Sequence, residues 1–263
     1  MAENRAKTSR RFQLPDSVAE PVVFIGRVAS VLPLLRQKRQ LRIKEILYYL
    51  DLCGAQSLPL VLLICFLMGG VLAINGQIQL SKFGSEIFIV DMVGFSVFKE
   101  FGPLMVALIA TGQAGSAFAS EIGTMKVDEE ISALETLGIR PVAYLVLPKL
   151  IALLIALPLL TVFGDFAGLI GGLAVGTTVA GLPLAAYVER TLDILDSTTF
   201  LLGVLKSFVF ATLITLAGCY CGFRSSGDAQ GVGRAATAAV VISILFVVVA
   251  TALLTVLYSF IGY

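Results

Sequence analysis

The chain has 263 residues, 57% hydrophobic and 14% charged, with a mean hydropathy of +0.94. Soluble domains carry roughly 25% charge, so an ordinary water-soluble domain and a disordered polar protein are both excluded. The length is better spent on membrane spans of about 20 residues each. The 19 Lys and Arg against 18 Asp and Glu leave a net charge of +1, which gains meaning only when resolved by position.

There is no histidine, which removes His-based acid–base chemistry, Ser-His-Asp triads and His metal sites. Cys53, Cys65, Cys219 and Cys221 lie in or beside apolar runs without CxxC spacing. They read as small apolar fillers rather than zinc ligands or a disulfide framework. No GxxxxGK[S/T] phosphate loop occurs, so ATP is not bound by that route, and no nucleic-acid partner is expected.

Residues 1–56 form the only extended polar region and hold ten of the 19 basic residues: Arg5, Lys7, Arg10, Arg11, Arg27, Arg36, Lys38, Arg39, Arg42 and Lys44. This long polar, basic start differs from a cleavable signal peptide. Leu41, Ile43, Ile46, Leu47 and Leu50 recur at roughly helical spacing among Arg42, Lys44 and Glu45. That pattern predicts a basic amphipathic helix lying in the headgroup layer, or else packed on a partner.

The first span is predicted over 57–78, with the Gly69-Gly70 pair allowing another backbone to approach closely. A polar stretch follows through Ser81, Lys82, Ser85, Glu86 and Asp91. The second span is predicted over 95–120, with Lys99-Glu100 near its start and small residues from Gly112 to Ala117 near its end. Residues 121–142 form a charged island. Within it Ile131, Leu134 and Leu137 recur every three residues opposite Asp128, Glu129 and Glu135, which fits a short amphipathic helix outside the bilayer ended by Pro141.

Residues 143–186 admit two readings. A helix from Ala143 to Ala180 would run about 57 Å, beyond a hydrocarbon core of about 30 Å. The segment is either one long span protruding at one end or two short ones broken near Gly164-Asp165. Residues 187–199 read as a polar loop, 200–222 as the next span with Lys206 inside it, 223–236 as a Gly/Ser-rich loop, and 237–261 as a last, uncharged span.

With five spans and the N-terminus inside, fifteen basic residues fall on the inner side, adding Lys126, Arg140, Lys149, Arg224 and Arg234 to the first ten. Lys82, Lys99 and Arg190 fall outside. This asymmetry predicts a cytoplasmic N-terminus and a C-terminus on the far side. Six spans would flip only the last two loops. Ionisable residues within spans are costly and mark functional positions. Lys99 and Glu100 point about 100° apart on a helix and cannot pair ideally with each other. Glu100 therefore meets a lysine across spans, or the lysines meet an anionic headgroup, or both lysines snorkel to the interface.

The run Thr111–Pro141, TGQAGSAFASEIGTMKVDEEISALETLGIRP, resembles the MlaE/YrbE permeases of bacterial lipid ABC transporters. So do LSKFGSE (80–86), FKEFGPLMVAL (98–108), VLPKLIALLIALPLLT (146–161), LKSFVFA (205–211) and GVGRAAT (231–237), in family order across about residues 40–260. The resemblance implies an all-α integral membrane protein: an N-terminal interfacial amphipathic helix in a basic region 1–56, then one permease domain over 57–263 with five transmembrane helices. It settles 143–186 as one long span and makes 121–141 a cytoplasmic coupling helix between spans two and three.

The resemblance also implies function. Such a permease works as a homodimer in the bacterial inner membrane on a dimer of cytoplasmic ABC ATPases. It carries a periplasmic hexamer of MCE-domain proteins, admits a small STAS-type cytoplasmic subunit, and moves phospholipid between the inner membrane and the periplasmic path to the outer membrane. The chain itself would bind no cofactor; ATP and Mg would be held by the ATPase. Carried over by motif, the lipid-cavity positions are Leu72, Leu80, Phe83, Lys99, Glu100 and Lys206. The ATPase-coupling positions are Glu121, Asp128, Glu129, Glu130, Leu134, Glu135 and Leu137, and Arg234 is a basic residue of an inner loop. The chain departs from the family at Gln113, where many members have Arg, and at Ser132, where many have Asp. Two other classes compete: a membrane lipid-modifying enzyme, which would need a convergent set of catalytic groups, and a scaffold that anchors MCE proteins without a cavity.

Overall fold

The computed structural model describes Val23, Phe24, Gly26, Val28, Ser30, residues 42–194 and residues 197–261. Ordered elements among them are helical: α1 Ile43–Leu50, α2 Leu58–Leu80, α3 Phe88–Ser96, α4 Gly102–Ala110, α5 Ser116–Val127, α6 Glu130–Thr136, α7 Pro141–Thr178, α8 Leu184–Ile194, α9 Ser197–Phe223 and α10 Ala229–Ile261. Turns of π-helix at Asp51–Ala55, Val97–Phe101 and Thr111–Gly115 join α1 to α2, α3 to α4 and α4 to α5. Among the described residues, five helical stretches are long and apolar enough to cross a membrane: Ile43–Phe83, Phe88–Val127, Pro141–Thr178, Thr198–Phe223 and Ala229–Phe260. Backbone groups in hydrocarbon must pair within their own segment, and helices meet that demand.

Span three, α7, is the central packing element. It stays helical through Pro148 and Pro158 and through Gly164-Asp165, so one long span is the observed outcome. Span one presses against it. A Cβ on Gly69 would fall 1.8 Å from the Gly168 carbonyl oxygen, and one on Gly171 would fall 1.9 Å from that of Phe66. Only glycine permits this backbone approach, and close approach is what holds helices together where lipid is as apolar as the side chains. Buried Thr111, Thr161, Ser207 and Thr215 donate their hydroxyls to carbonyls of their own helices.

Several expected boundaries are corrected. Residues 184–194, read in part as a polar loop, form α8. Its charges line one side while Tyr187 is buried on Gly172 and Gly176 of α7. The loop expected over 223–236 is shorter, because α10 begins at Ala229 and Arg234 lies within its first turns. The island 121–141 is divided: α5 continues the second span to Val127, Glu129 takes a left-handed conformation (φ 59°), and the separate helix is only Glu130–Thr136. Glu121 thus belongs to the second span and not to the short helix. Of the region 1–56, the basic residues before Arg42 and Leu41 lie outside the described residues. Phe24 packs its ring on Tyr220 and Phe223 of α9, with centroids 5.6 and 6.0 Å away, and Val28 is buried in the main core.

Candidate functional site

Pro103 lacks an amide proton, so the Lys99 carbonyl four residues earlier has no α-helical donor. The chain answers in two ways. Val97–Phe101 widens into a π-turn, in which the Gly102 amide pairs with the Val97 carbonyl. The Lys99 carbonyl is then taken by Lys206 of α9, whose Nζ lies 2.9 Å away. The same ammonium donates to Glu100 Oε1 at 2.7 Å and to Thr255 Oγ1 of α10 at 3.2 Å. The Thr255 hydroxyl donates to that Glu100 oxygen at 2.8 Å, and the Tyr258 ring lies 5.5 Å from Nζ. Lys206 is fully buried while the Glu100 side chain keeps 28% exposure.

Three candidate residues therefore form one cluster that ties spans two, four and five together at one end of the molecule. Of the alternatives open for these charges, Glu100 meets a lysine across spans. An ammonium has three protons, and all three of Lys206 are used inside the protein. Lys99 makes no ion pair among the described residues and is half-buried at the same level. Leu72 and Leu80 are half-buried against Ala73, Ile89, Val93 and Val97, where α2 packs on the first half of span two. Phe83 stands apart, 79% exposed in the turn after span one.

Two acids were not among the residues the sequence assigned to a site. Asp91 of α3 receives a two-pronged bond from Arg190 of α8, Nε at 2.7 Å and Nη2 at 2.6 Å. These hydrogen bonds raise the already high guanidinium pKa and fix α8 across the same end as the Lys206 cluster. The available signal was an acid inside the apolar run IFIVDMV. Asp165 was read only as a break in a helix. It is fully buried in α7, and neither carboxylate oxygen has a hydrogen-bond partner.

The opposite, basic end is held by a second buried ammonium. Lys149 Nζ of α7 donates to Tyr49 Oη of α1 at 2.7 Å and to Glu121 Oε1 of α5 at 3.0 Å. The Tyr49 hydroxyl donates to the same Glu121 oxygen at 2.5 Å, and the Tyr49 ring lies 4.3 Å from the ammonium. Gln113, where the family often has Arg, does a neutral job: Nε2 donates to the Leu52 carbonyl at 3.0 Å, and Oε1 accepts from Ser57 at 2.6 Å. It thereby stitches the π-turns of spans one and two. Lys126 donates to the carbonyls of Phe223 and Ser225 at 2.9 and 2.7 Å, so the α5–α6 turn and the α9–α10 loop share this end.

Beyond these ties the short helix projects outward. Asp128, Glu129, Glu130, Ser132 and Glu135 are exposed, Leu134 is half-buried, and Leu137 is 74% exposed. Arg234 reaches back to the Ser226 hydroxyl at 3.0 Å and to Asp228 at 3.7 Å. The Ser226 hydroxyl, and secondarily Arg234, holds the Asp228 carboxyl below the usual carboxylate range.

Two buried ammonium clusters, built on Lys149 and Lys206, tie the helices together at the two ends of the body. Among the described residues, no group of three or more His, Cys, Asp or Glu side chains is placed to hold a metal ion. Comparison with known proteins decides the family: residues 46–257 match the family described as "Permease MlaE". The chain belongs to the MlaE permease family. It is similar to a probable ABC transporter permease protein of Rickettsia conorii, with 38% identity over 205 residues covering 78% of this chain and 79% of that protein. A probable ABC transporter permease protein of Rickettsia bellii is 35% identical over 251 residues, 95% of each chain. The intermembrane phospholipid transport system permease protein MlaE of Haemophilus influenzae is 30% identical over 216 residues, 80% of this chain and 79% of that one. As an MlaE-family permease, the chain is the membrane-embedded component of an ABC transporter, and its buried clusters brace the spans of that component.

Proposed function

We propose that this chain moves phospholipid between a bacterial inner membrane and the periplasmic path to the outer membrane, as a homodimer whose lipid cavity opens at the end bearing Lys99, Glu100 and Lys206. The carrying observation is the juxtaposition at that end. The half-buried aliphatic side chains Leu72 and Leu80 of span one pack against Ile89, Val93 and Val97 of span two, and Lys99 and Glu100 follow Val97 by two and three residues. Aliphatic walls hold acyl chains by excluding them from water. Lys99, with no ion pair of its own, is the cation suited to a phosphate, and Phe83 in the exposed turn is placed to meet an acyl chain or a periplasmic subunit. Lys206 acts differently from the expectation of direct headgroup contact: it locks Glu100 and the π-turn in place.

The N-terminus lies on the cytoplasmic side in this reading, the C-terminus on the periplasmic side, and α1 rests in the headgroup layer with exposed Ile43 and Leu47 facing lipid. ATP and Mg belong to a separate ATPase dimer. Its docking element is α6 with its flanking turns, where Asp128, Glu129, Glu130, Glu135 and Leu137 are exposed. Glu129 holds a left-handed backbone, which costs a non-glycine residue roughly 1–2 kcal/mol, and such strain concentrates at functional turns. Ile131 packs the helix against the core, and Leu134 is half-buried beside it. Glu121 contributes indirectly, by tying the root of this element to Lys149 and Tyr49. Arg234 lies on the same face.

The test is reconstitution. The purified chain alone hydrolyses no ATP; with its cognate ATPase it forms a complex whose hydrolysis responds to lipid. Glu129→Lys and Glu135→Lys weaken complex formation at least tenfold on pull-down while the permease alone stays monodisperse. Complex formation and lipid response unchanged in both variants contradict the docking role.

A further inference from the structure

Asp165 is the one carboxylate among the described residues that is fully buried with both oxygens unpartnered. It stands 24 residues into α7, about 36 Å from the helix start at 1.5 Å per residue, within the apolar stretch that crosses the membrane. An ionised carboxylate buried there with no protein donor is costly by several kcal/mol or more. Its neighbourhood is specific. A Cβ on Gly102 would lie 1.7 Å from Asp165 Oδ1, so the carboxyl rests directly on the Gly102 backbone. Gly102 follows the π-turn Val97–Phe101 and precedes Pro103. The carboxyl therefore sits against the weakest point of span two, where α-helical pairing is interrupted.

The titratable and charged groups around it leave it isolated. On α2, Cys65 is the group that bears on Asp165 electrostatically. On span two, Glu100 is committed to Lys206 of α9 and Thr255 of α10, and Lys99 lies three residues before Gly102. On α7 itself Lys149 is 16 residues away, about 24 Å, and is engaged by Tyr49 and Glu121. Tyr187 of α8 packs on Gly172 and Gly176, two to three turns further along.

We propose that Asp165 is a proton-binding site: its carboxyl carries a proton while span two packs against span three, and releases it to water when the Gly102–Pro103 segment moves away. The site's ligand is a proton, and its occupancy reports the position of the same kinked segment that carries Lys99 and Glu100. The proposal stands on the burial, the missing partners and the Gly102 contact, and does not depend on what cargo the transporter carries.

The experiment is infrared spectroscopy of the full-length chain in lipid nanodiscs, with backbone-unlabelled, side-chain ¹³C-carboxyl aspartate. At neutral pH the wild type shows a neutral-acid C=O band that shifts with the label. Asp165→Asn loses that band and keeps its thermal midpoint, because the amide replaces a neutral acid of the same shape. Should Asp165→Asn not fold, the labelled wild type alone still reads the protonation state. Gly102→Ala, which pushes the carboxyl off the backbone, lowers the proton affinity read from the band's pH titration about tenfold or more. A labelled wild type with only carboxylate bands at neutral pH overturns the proposal, as does a band unaltered by Asp165→Asn. A Gly102→Ala titration identical to wild type overturns the link to the kink.

Discussion

Pro103 has no amide proton, and that one missing donor accounts for much of the charged cluster at the distal end. It leaves the Lys99 carbonyl open, a buried ammonium fills the gap, and that ammonium in turn demands an anion, which Glu100 supplies at 2.7 Å. Breaking such a pair by removing one partner strands the other, at about 3 kcal/mol or more. Lys206→Met and Glu100→Gln are each expected to lower thermal stability in detergent by about that amount, while the double variant recovers at least half the loss, since neither charge is then stranded. Strictly additive losses would show that the two side chains do not act as a pair. The sequence marked these three residues as special because charges are rare within spans. It left their pairing open because adjacent helical residues diverge, and only tertiary packing brings residue 206 to residue 100. Asp165 was read as a helix break for a related reason. A lone acid beside a glycine in an apolar run reads equally well as a helix break, and nothing local shows that α7 continues unbroken around it.

At the scale of elements, the apolar runs made the spans legible, because five stretches of sufficient length have few other ways to satisfy their backbones. Their ends were less so. Three π-turns and the amphipathic α8 have no strong signature in composition. The polar residues of α8 resemble a loop until Tyr187 is seen seated on Gly172 and Gly176. A short helix does fall within the charged island, but it spans only Glu130–Thr136 and leaves out Leu137: Glu121 and its neighbours continue α5, and the chain breaks only at the left-handed Glu129. The glycine stripe between α2 and α7 was suggested by Gly69-Gly70 and completed by Gly168 and Gly171. Its packing gives a sharp expectation. Gly69→Leu collides with backbone, which no rotamer change can relieve, and should abolish a monodisperse peak on size-exclusion chromatography. Gly112→Ala, whose Cβ meets nothing within 4 Å, should alter the thermal midpoint by no more than about 0.5 kcal/mol-equivalent. Equal damage from both would mean that the close approach of spans one and three is not what holds them.

For the whole molecule, the two buried ammonium clusters divide the labour. Lys149 with Tyr49 and Glu121 ties the root of α6 to the body at the basic end, and Lys206 with Glu100 ties spans two, four and five at the other. Span two runs between them with its π-turns at Val97–Phe101 and Thr111–Gly115, so a displacement of α6 has a jointed helix along which to reach the distal segment. The net charge of +1 says nothing of this, whereas the positions of the charges along the chain single out the residues of both clusters. The central claim, that the face where spans one and two meet takes up phospholipid, is tested most directly by photo-crosslinking in native membranes from a photoreactive residue placed in turn at Leu72, Leu80 and Phe83. Mass spectrometry then identifies the adducts. The account predicts intact phospholipid adducts from Leu72 and Leu80 above those from a lipid-facing control at Val249 on α10; adducts no more abundant than at the control, or adducts of chemically altered lipid, would contradict it.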